Sequence, residues 1–170
     1  MPKRFATKGS STASHRPCPL SLWHARLRSR SARLLGSVLD ASALLAYLGN
    51  EPGSDLVADA IAGGAMIATV NLAEALSTLA ARGKDPAAVV SDLTDRGLLD
   101  GAIAVEPFTT ADAIEAARLR PLTRDAGLSL ADRACFAVAR RFSTAALTAD
   151  RAWSGLSLGV DVHLIRDPAE

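Results

Sequence analysis

Aromatic residues make up only 4% of this 170-residue chain. Its core must therefore be filled mainly by Ala, Leu and Val. Cysteine is almost absent: Cys18 and Cys135 are the only two, far apart and without CxxC spacing. That excludes a disulfide framework and a thiolate zinc site, and it suits a reducing, cytoplasmic setting. Long apolar runs are missing as well. A stretch such as 43–48 is far shorter than the roughly 20 residues a membrane helix needs, so no membrane association is expected. After residue 8 the only lysine is Lys84, and Gly83-Lys84 lacks both the upstream glycine spacing and the following Ser or Thr of a phosphate-binding loop. Of the three histidines, His15 and His24 lie near the N-terminus, and His163 falls in a β-like run where a structural role is expected. A histidine acid–base pair and a Ser–His–Asp set are both excluded.

Basic and acidic residues are unevenly shared along the chain. Residues 1–35 hold eight Lys or Arg and no Asp or Glu, whereas from Gly36 onward eleven basic residues face all eighteen acidic ones, a formal charge of −7. A net acidic body does not coat nucleic acid by bulk charge; it needs local cations or a metal ion to meet phosphate. The first 35 residues, rich in Ser, Arg and Pro without a hydrophobic period, read as a basic disordered tail. The composition also suits a transit peptide, although no seven-residue apolar core supports secretion. A mis-assigned start or a dispensable tail is the favoured reading, leaving one domain over 36–170.

From Gly36 the pattern turns regular. β-like runs occur at 37–39, 66–70, 102–105, 144–148 and 160–165, with helical stretches near 41–49, 53–63, 72–82, 86–97, 110–120 and 130–141. Turn signals at Glu51-Pro52-Gly53, Gly63-Gly64, Asp85-Pro86 and Asp100-Gly101 separate them. Strands alternating with helices predict an α/β layer structure on a mostly parallel sheet.

In such sheets ligands bind beyond the carboxyl ends of the strands. Asp40 ends the first predicted strand and Asp150 the fourth. Glu74 lies in the first turn predicted after the second strand, and Asp132 opens the helix before the fourth. Each has a bland explanation. Asn71 with Glu74 and Ser129 with Asp132 match helix capping boxes, as does Thr109 with Asp112, to which no chemistry is assigned; Asp40 and Asp150 could be plain N-caps. Together they carry more weight. Carboxylates converging on one rim raise each other's pKa unless a cation neutralises them. Mg²⁺ or Mn²⁺ on oxygen ligands suits phosphodiester hydrolysis, lowering the pKa of the attacking water and stabilising charge on phosphorus and the leaving oxygen.

Four stretches carry a resemblance: Val38-Leu39-Asp40-Ala41-Ser42-Ala43-Leu44-Leu45, Asn71-Leu72-Ala73-Glu74-Ala75, Leu128-Ser129-Leu130-Ala131-Asp132-Arg133-Ala134-Cys135 and Leu147-Thr148-Ala149-Asp150-Arg151-Ala152-Trp153. In this order and at these distances they resemble the PIN-domain nucleases, and within them the VapC-type toxins of VapBC toxin–antitoxin modules, over about 36–167. The resemblance implies a PIN-like three-layer α/β/α sandwich with about five strands, and a metal-dependent ribonuclease. It maps the family's acidic residues onto Asp40, Glu74, Asp132 and Asp150 as catalytic and metal-binding groups, with Ser42 and Thr148 at its small hydroxyl positions. It further implies Mg²⁺ or Mn²⁺, an RNA substrate, a homodimer and a cognate VapB-like antitoxin. The N-terminal 35 residues are the departure from the family. Arg118, Arg120, Arg124, Arg133 and Arg151 are candidates to meet RNA phosphates, because arginine suits bidentate phosphate contacts. Two other classes compete. A phosphoacceptor receiver domain also clusters Asp at strand ends, but it resembles this body less for want of a lysine at the last strand. A non-catalytic RNA- or partner-binding module of the same fold is the main alternative.

Overall fold

The computed structural model describes residues 36–166, so the reading of 1–35 as a disordered tail lies outside the described residues. Five short strands form one wholly parallel sheet: β1 (Val38–Leu39), β2 (Ala65–Ala68), β3 (Ile103–Glu106), β4 (Ala146–Thr148) and β5 (Val162–Leu164), in the spatial order β3-β2-β1-β4-β5. Among the described residues six α-helices connect them: α1 (Ala41–Leu48), α2 (Ser54–Ala62), α3 (Thr69–Ala81), α4 (Pro86–Asp95), α5 (Thr110–Thr123) and α6 (Leu130–Phe142).

Side chains on a strand alternate between its two faces, which makes the layers legible in the sheet register. Leu39, Ile67 and Leu147 point into one core with Leu44, Val57, Ile61 and Leu93 of α1, α2 and α4. Val38, Ala68 and Ala146 point into the other, against Leu119 of α5 and Phe136, Val138 and Ala139 of α6. The result is a three-layer α/β/α sandwich. Helix α6 is buried continuously from Arg133 to Ala139, because it lies between the sheet and both α5 and α3. Small residues recur along its buried stretch and allow that close approach. The aromatics are few but central: Phe136 and Trp153 are fully buried and stack with ring centroids 4.4 Å apart.

Several boundaries shift from the sequence reading, two of them notably. β2 ends at Ala68, and α3 begins at Thr69 without a side-chain cap. Glu74 thus lies in the second turn of α3, not the first, and Asn71 is inside the helix rather than its N-cap. Helix α5 runs on to Thr123 through Pro121. The missing N–H of Pro121 frees only the carbonyl of Ala117 on an exposed face, where water can satisfy it.

Gly53 admits no side chain. Its φ is +88°, and a Cβ there would stand 2.2 Å from the Ile165 carbonyl oxygen, packing the start of α2 against the chain just after β5.

Candidate functional site

The strand order reverses between β1 and β4. The chain leaves β1 through α1 to reach β2 on one side, and leaves β4 to reach β5 on the other. In open α/β sheets the crevice at such a switch point is where ligands bind. Asp40 follows β1 and Asp150 follows β4, so both stand at the mouth of that crevice.

Asp40 is only 3% exposed and caps α1. Its carboxylate accepts from the Ala43 N–H at 2.7 Å, from the Ser42 hydroxyl at 2.8 and 2.9 Å, and from the Thr148 hydroxyl at 2.7 Å. Each hydroxyl in turn accepts a backbone N–H: Ser42 Oγ from Ala149 at 2.8 Å, and Thr148 Oγ1 from Asp150 at 2.9 Å. The two hydroxyls thereby clamp the end of β1 to the end of β4 and orient Asp40. Burial nevertheless dominates and raises its pKa to about 6; the hydrogen bonds oppose the shift, and Asp132 adds to it.

Asp132 is brought to the same place by α6. Its capping box with Ser129 is present, with the Ser129 N–H donating to Asp132 Oδ2 at 2.6 Å and the Asp132 N–H to Ser129 Oγ at 3.1 Å. The helix therefore begins on the functional side, which the sequence alone left open. Glu74 reaches the cluster from α3; partial burial, and then the charge of Asp132, raise its pKa. The buried Cys135 thiol reports the convergence. Burial pushes it well up, and the charges of Asp40, Asp132 and Glu74 each add to the shift.

Asp150 stands slightly apart. It is exposed, and its side chain accepts from the Ala152 N–H at 2.8 Å, capping a 3₁₀ turn at Arg151–Trp153 that sequence reasoning missed. Trp153, fully buried against Phe136, pins that turn to the core. Among the described residues, no three His, Cys, Asp or Glu side chains stand together as a preformed chelate.

A second group escaped the sequence reading. Asn71 is fully buried, and its Nδ2 donates to the Ala131 carbonyl at 3.0 Å, tying α3 to the start of α6. Its Oδ1 is buried without a hydrogen-bond partner. The readable signal was its place one turn before Ala75 on the apolar stripe of α3, a position where a polar residue needs a reason.

The five candidate arginines sort by their partners. Arg118 pairs with Glu115. Arg133 gives Nε to the Ala116 carbonyl at 3.2 Å and Nη1 to the Leu128 carbonyl at 2.7 Å, and burial, then the Arg120 guanidinium, holds it below the usual arginine range. Arg120 and Arg124, one turn apart at the end of α5, have no ion pair among the described residues. Arg151 follows Asp150 directly.

The donor set fits a hard divalent cation. Mg²⁺ is commonly held by one or two carboxylates with water completing its shell, and a buried acceptor such as Asn71 Oδ1 suits a hydrated ion's protons better than it suits an apolar core.

Residues 37–157 match the PIN domain family, and the chain belongs to it. Two solved structures illustrate the likeness. One, a toxin–antitoxin complex from Klebsiella pneumoniae, aligns with a TM-score of 0.59 at 13% identity, covering 78% of this chain and 99% of the other. The second, VapC20 of Mycobacterium tuberculosis, a sarcin–ricin loop cleaving toxin, aligns with a TM-score of 0.57 at 19% identity, covering 72% and 95%. At these identities the likeness is one of fold. Among curated proteins, none matches the sequence.

Proposed function

We propose that this protein is a divalent-metal-dependent endoribonuclease, the VapC-like toxin of a type II toxin–antitoxin pair. Asp40 carries the reading. A carboxylate this buried, with a pKa raised to about 6 and oriented by two hydroxyls at the switch point of the sheet, is costly to ionise and unexplained by packing alone. A cation beside it reverses that cost. Asp40, Asp132 and Asp150, with Glu74 directly or through water, would hold Mg²⁺ or Mn²⁺. Such an ion supplies an acidified water and charge stabilisation at a phosphodiester.

The chain's own residues have separable tasks. Ser42 and Thr148 fix the Asp40 rotamer and tie it to the backbone that presents Asp150. Ser129 fixes Asp132. Arg120 and Arg124, free of ion pairs among the described residues, would take the phosphates of the RNA strand. The two fold neighbours, one a toxin–antitoxin complex and one a toxin that cleaves RNA at the sarcin–ricin loop, support a toxin role with an antitoxin partner. A homodimer and a cytoplasmic location belong to the same reading, as does a single domain over 36–170 after a basic tail. No helix among the described residues is long and apolar enough to cross a membrane.

The test is cleavage of RNA by purified protein with Mn²⁺ and with EDTA. Cleavage is expected only with Mn²⁺ and is expected to vanish in Asp40→Asn and Asp132→Asn while both stay folded. Undiminished cleavage by both variants overturns the proposal. A non-catalytic binding module is the second reading, favoured by the capping duties of Asp132 and Asp150 and by the lack of a preformed chelate. RNA binding that survives EDTA, with no cleavage on adding Mn²⁺, would select it.

A further inference from the structure

We infer that Asn71 is a positioning residue that sets the separation of Glu74 and Asp132 by bridging α3 to the first turn of α6; the inference rests on the nuclease reading above. Three observations carry it. Asn71 is fully buried, so its amide sits where an apolar side chain would pack without cost. Half of that amide is spent on one bond, Nδ2 to the carbonyl of Ala131, the residue immediately before Asp132. The other half, Oδ1, has no partner.

A purely structural account fits these facts poorly. Asn71 caps nothing, since α3 starts at Thr69. A buried amide with an unmet acceptor weakens a fold compared with an isosteric apolar residue. Proteins break such local rules chiefly at functional sites. Asn71 lies one helical turn before Glu74 on α3, and its bond lands beside Asp132 on α6. Apolar packing between α3 and α6 is non-directional and by itself does not fix how far the first turn of α6 stands from α3. One directional bond removes that freedom and holds two like charges closer than they would settle on their own.

The experiment compares full-length wild type with Asn71→Leu, which keeps the branched outline and loses the donor, and Asn71→Ala, which loses the donor without adding bulk. Thermal unfolding, Mn²⁺ titration, kinetics on an RNA oligonucleotide and amide hydrogen exchange of the metal-free protein are read in parallel. For Asn71→Leu the unfolding midpoint is expected to hold or rise. Mn²⁺ affinity and kcat are expected to fall about 10–100-fold, the usual cost of losing a group that orients a ligand, with KM for RNA near wild type. Exchange at the Asp132 and Arg133 amides is expected to quicken. Wild-type Mn²⁺ affinity, kcat and exchange in Asn71→Leu overturn the inference and leave the nuclease reading intact. If wild type cuts no RNA while the variant still loosens Asp132, the nuclease reading falls and the bridge remains. Should Asn71→Leu fail to fold, Asn71→Ala reads the same local exchange, and unchanged exchange there also overturns the inference.

Discussion

Three groups donate to Asp40, and each favours its ionised form, yet burial still raises its pKa from 3.8 to about 6. Below the lower value both folded and unfolded chains hold the proton. Between the two values only the folded chain holds it, so raising the pH favours unfolding, and the loss is complete above about 6. At about 1.4 kcal/mol per pKa unit, metal-free protein should lose about 3 kcal/mol of stability between pH 4 and pH 7. Denaturant melts across that range check this, and Asp40→Asn should remove most of the dependence, leaving the smaller share of Glu74, whose pKa is also raised. Added Mn²⁺ should restore stability at pH 7, and removing it with EDTA should reverse the gain. Thr148→Val tests the clamp at nearly constant volume. It strips a donor from Asp40 and an acceptor from the Asp150 N–H. It should cost about 1–3 kcal/mol, measured by chemical unfolding, and lower kcat in the same variant.

Helices α5 and α6 open with the same capping box, but the two boxes lead to different burdens. In α5, Asp112 is 2% exposed and paired with Arg141 at 2.8 Å, so it serves the fold. In α6, Asp132 is half-buried, has no ion pair among the described residues, and faces Asp40 and Glu74. Asp112→Asn should therefore destabilise by about 1–3 kcal/mol, by weakening the cap and the pair with Arg141, which keeps Glu106 at 2.9 Å, and spare the cleavage rate per folded molecule. Asp132→Asn should do the reverse. Thermal melts beside RNA cleavage assays separate them. Spacing alone could not tell these motifs apart, because it is silent on what stands opposite. The alternation of strand and helix was readable throughout, since Gly, Pro and Asp marked nearly every boundary. So was the strand-end placement of Asp40 and Asp150. What escaped was non-local: the strand order that makes β1 and β4 neighbours, the bond from Asn71 to Ala131 that made a helix-interior residue look like a cap, and the burial of Trp153 that shapes the turn after Asp150.

Taken as a whole, the body from Gly36 onward is a polyanion, at −7, asked to meet another polyanion. On the nuclease reading, its affinity for RNA rests on a few cations, and the salt dependence scales with their number. Replacing Arg120 and Arg124 together by Gln should weaken RNA binding and flatten the slope of log affinity against log salt by about 1.4, the share of two phosphate contacts on a single strand. Filter binding at several salt concentrations measures it, and an unchanged slope would place the RNA elsewhere. The clamp on Asp40 also orders events in time. Thr148 meets Asp40 across 108 residues of sequence. A chain abandoned before β4 carries Asp40, Glu74 and Asp132 but neither the hydroxyl that aims the first nor Asp150. On the nuclease reading such fragments should cut no RNA, because the active arrangement closes only once β4 has joined β1.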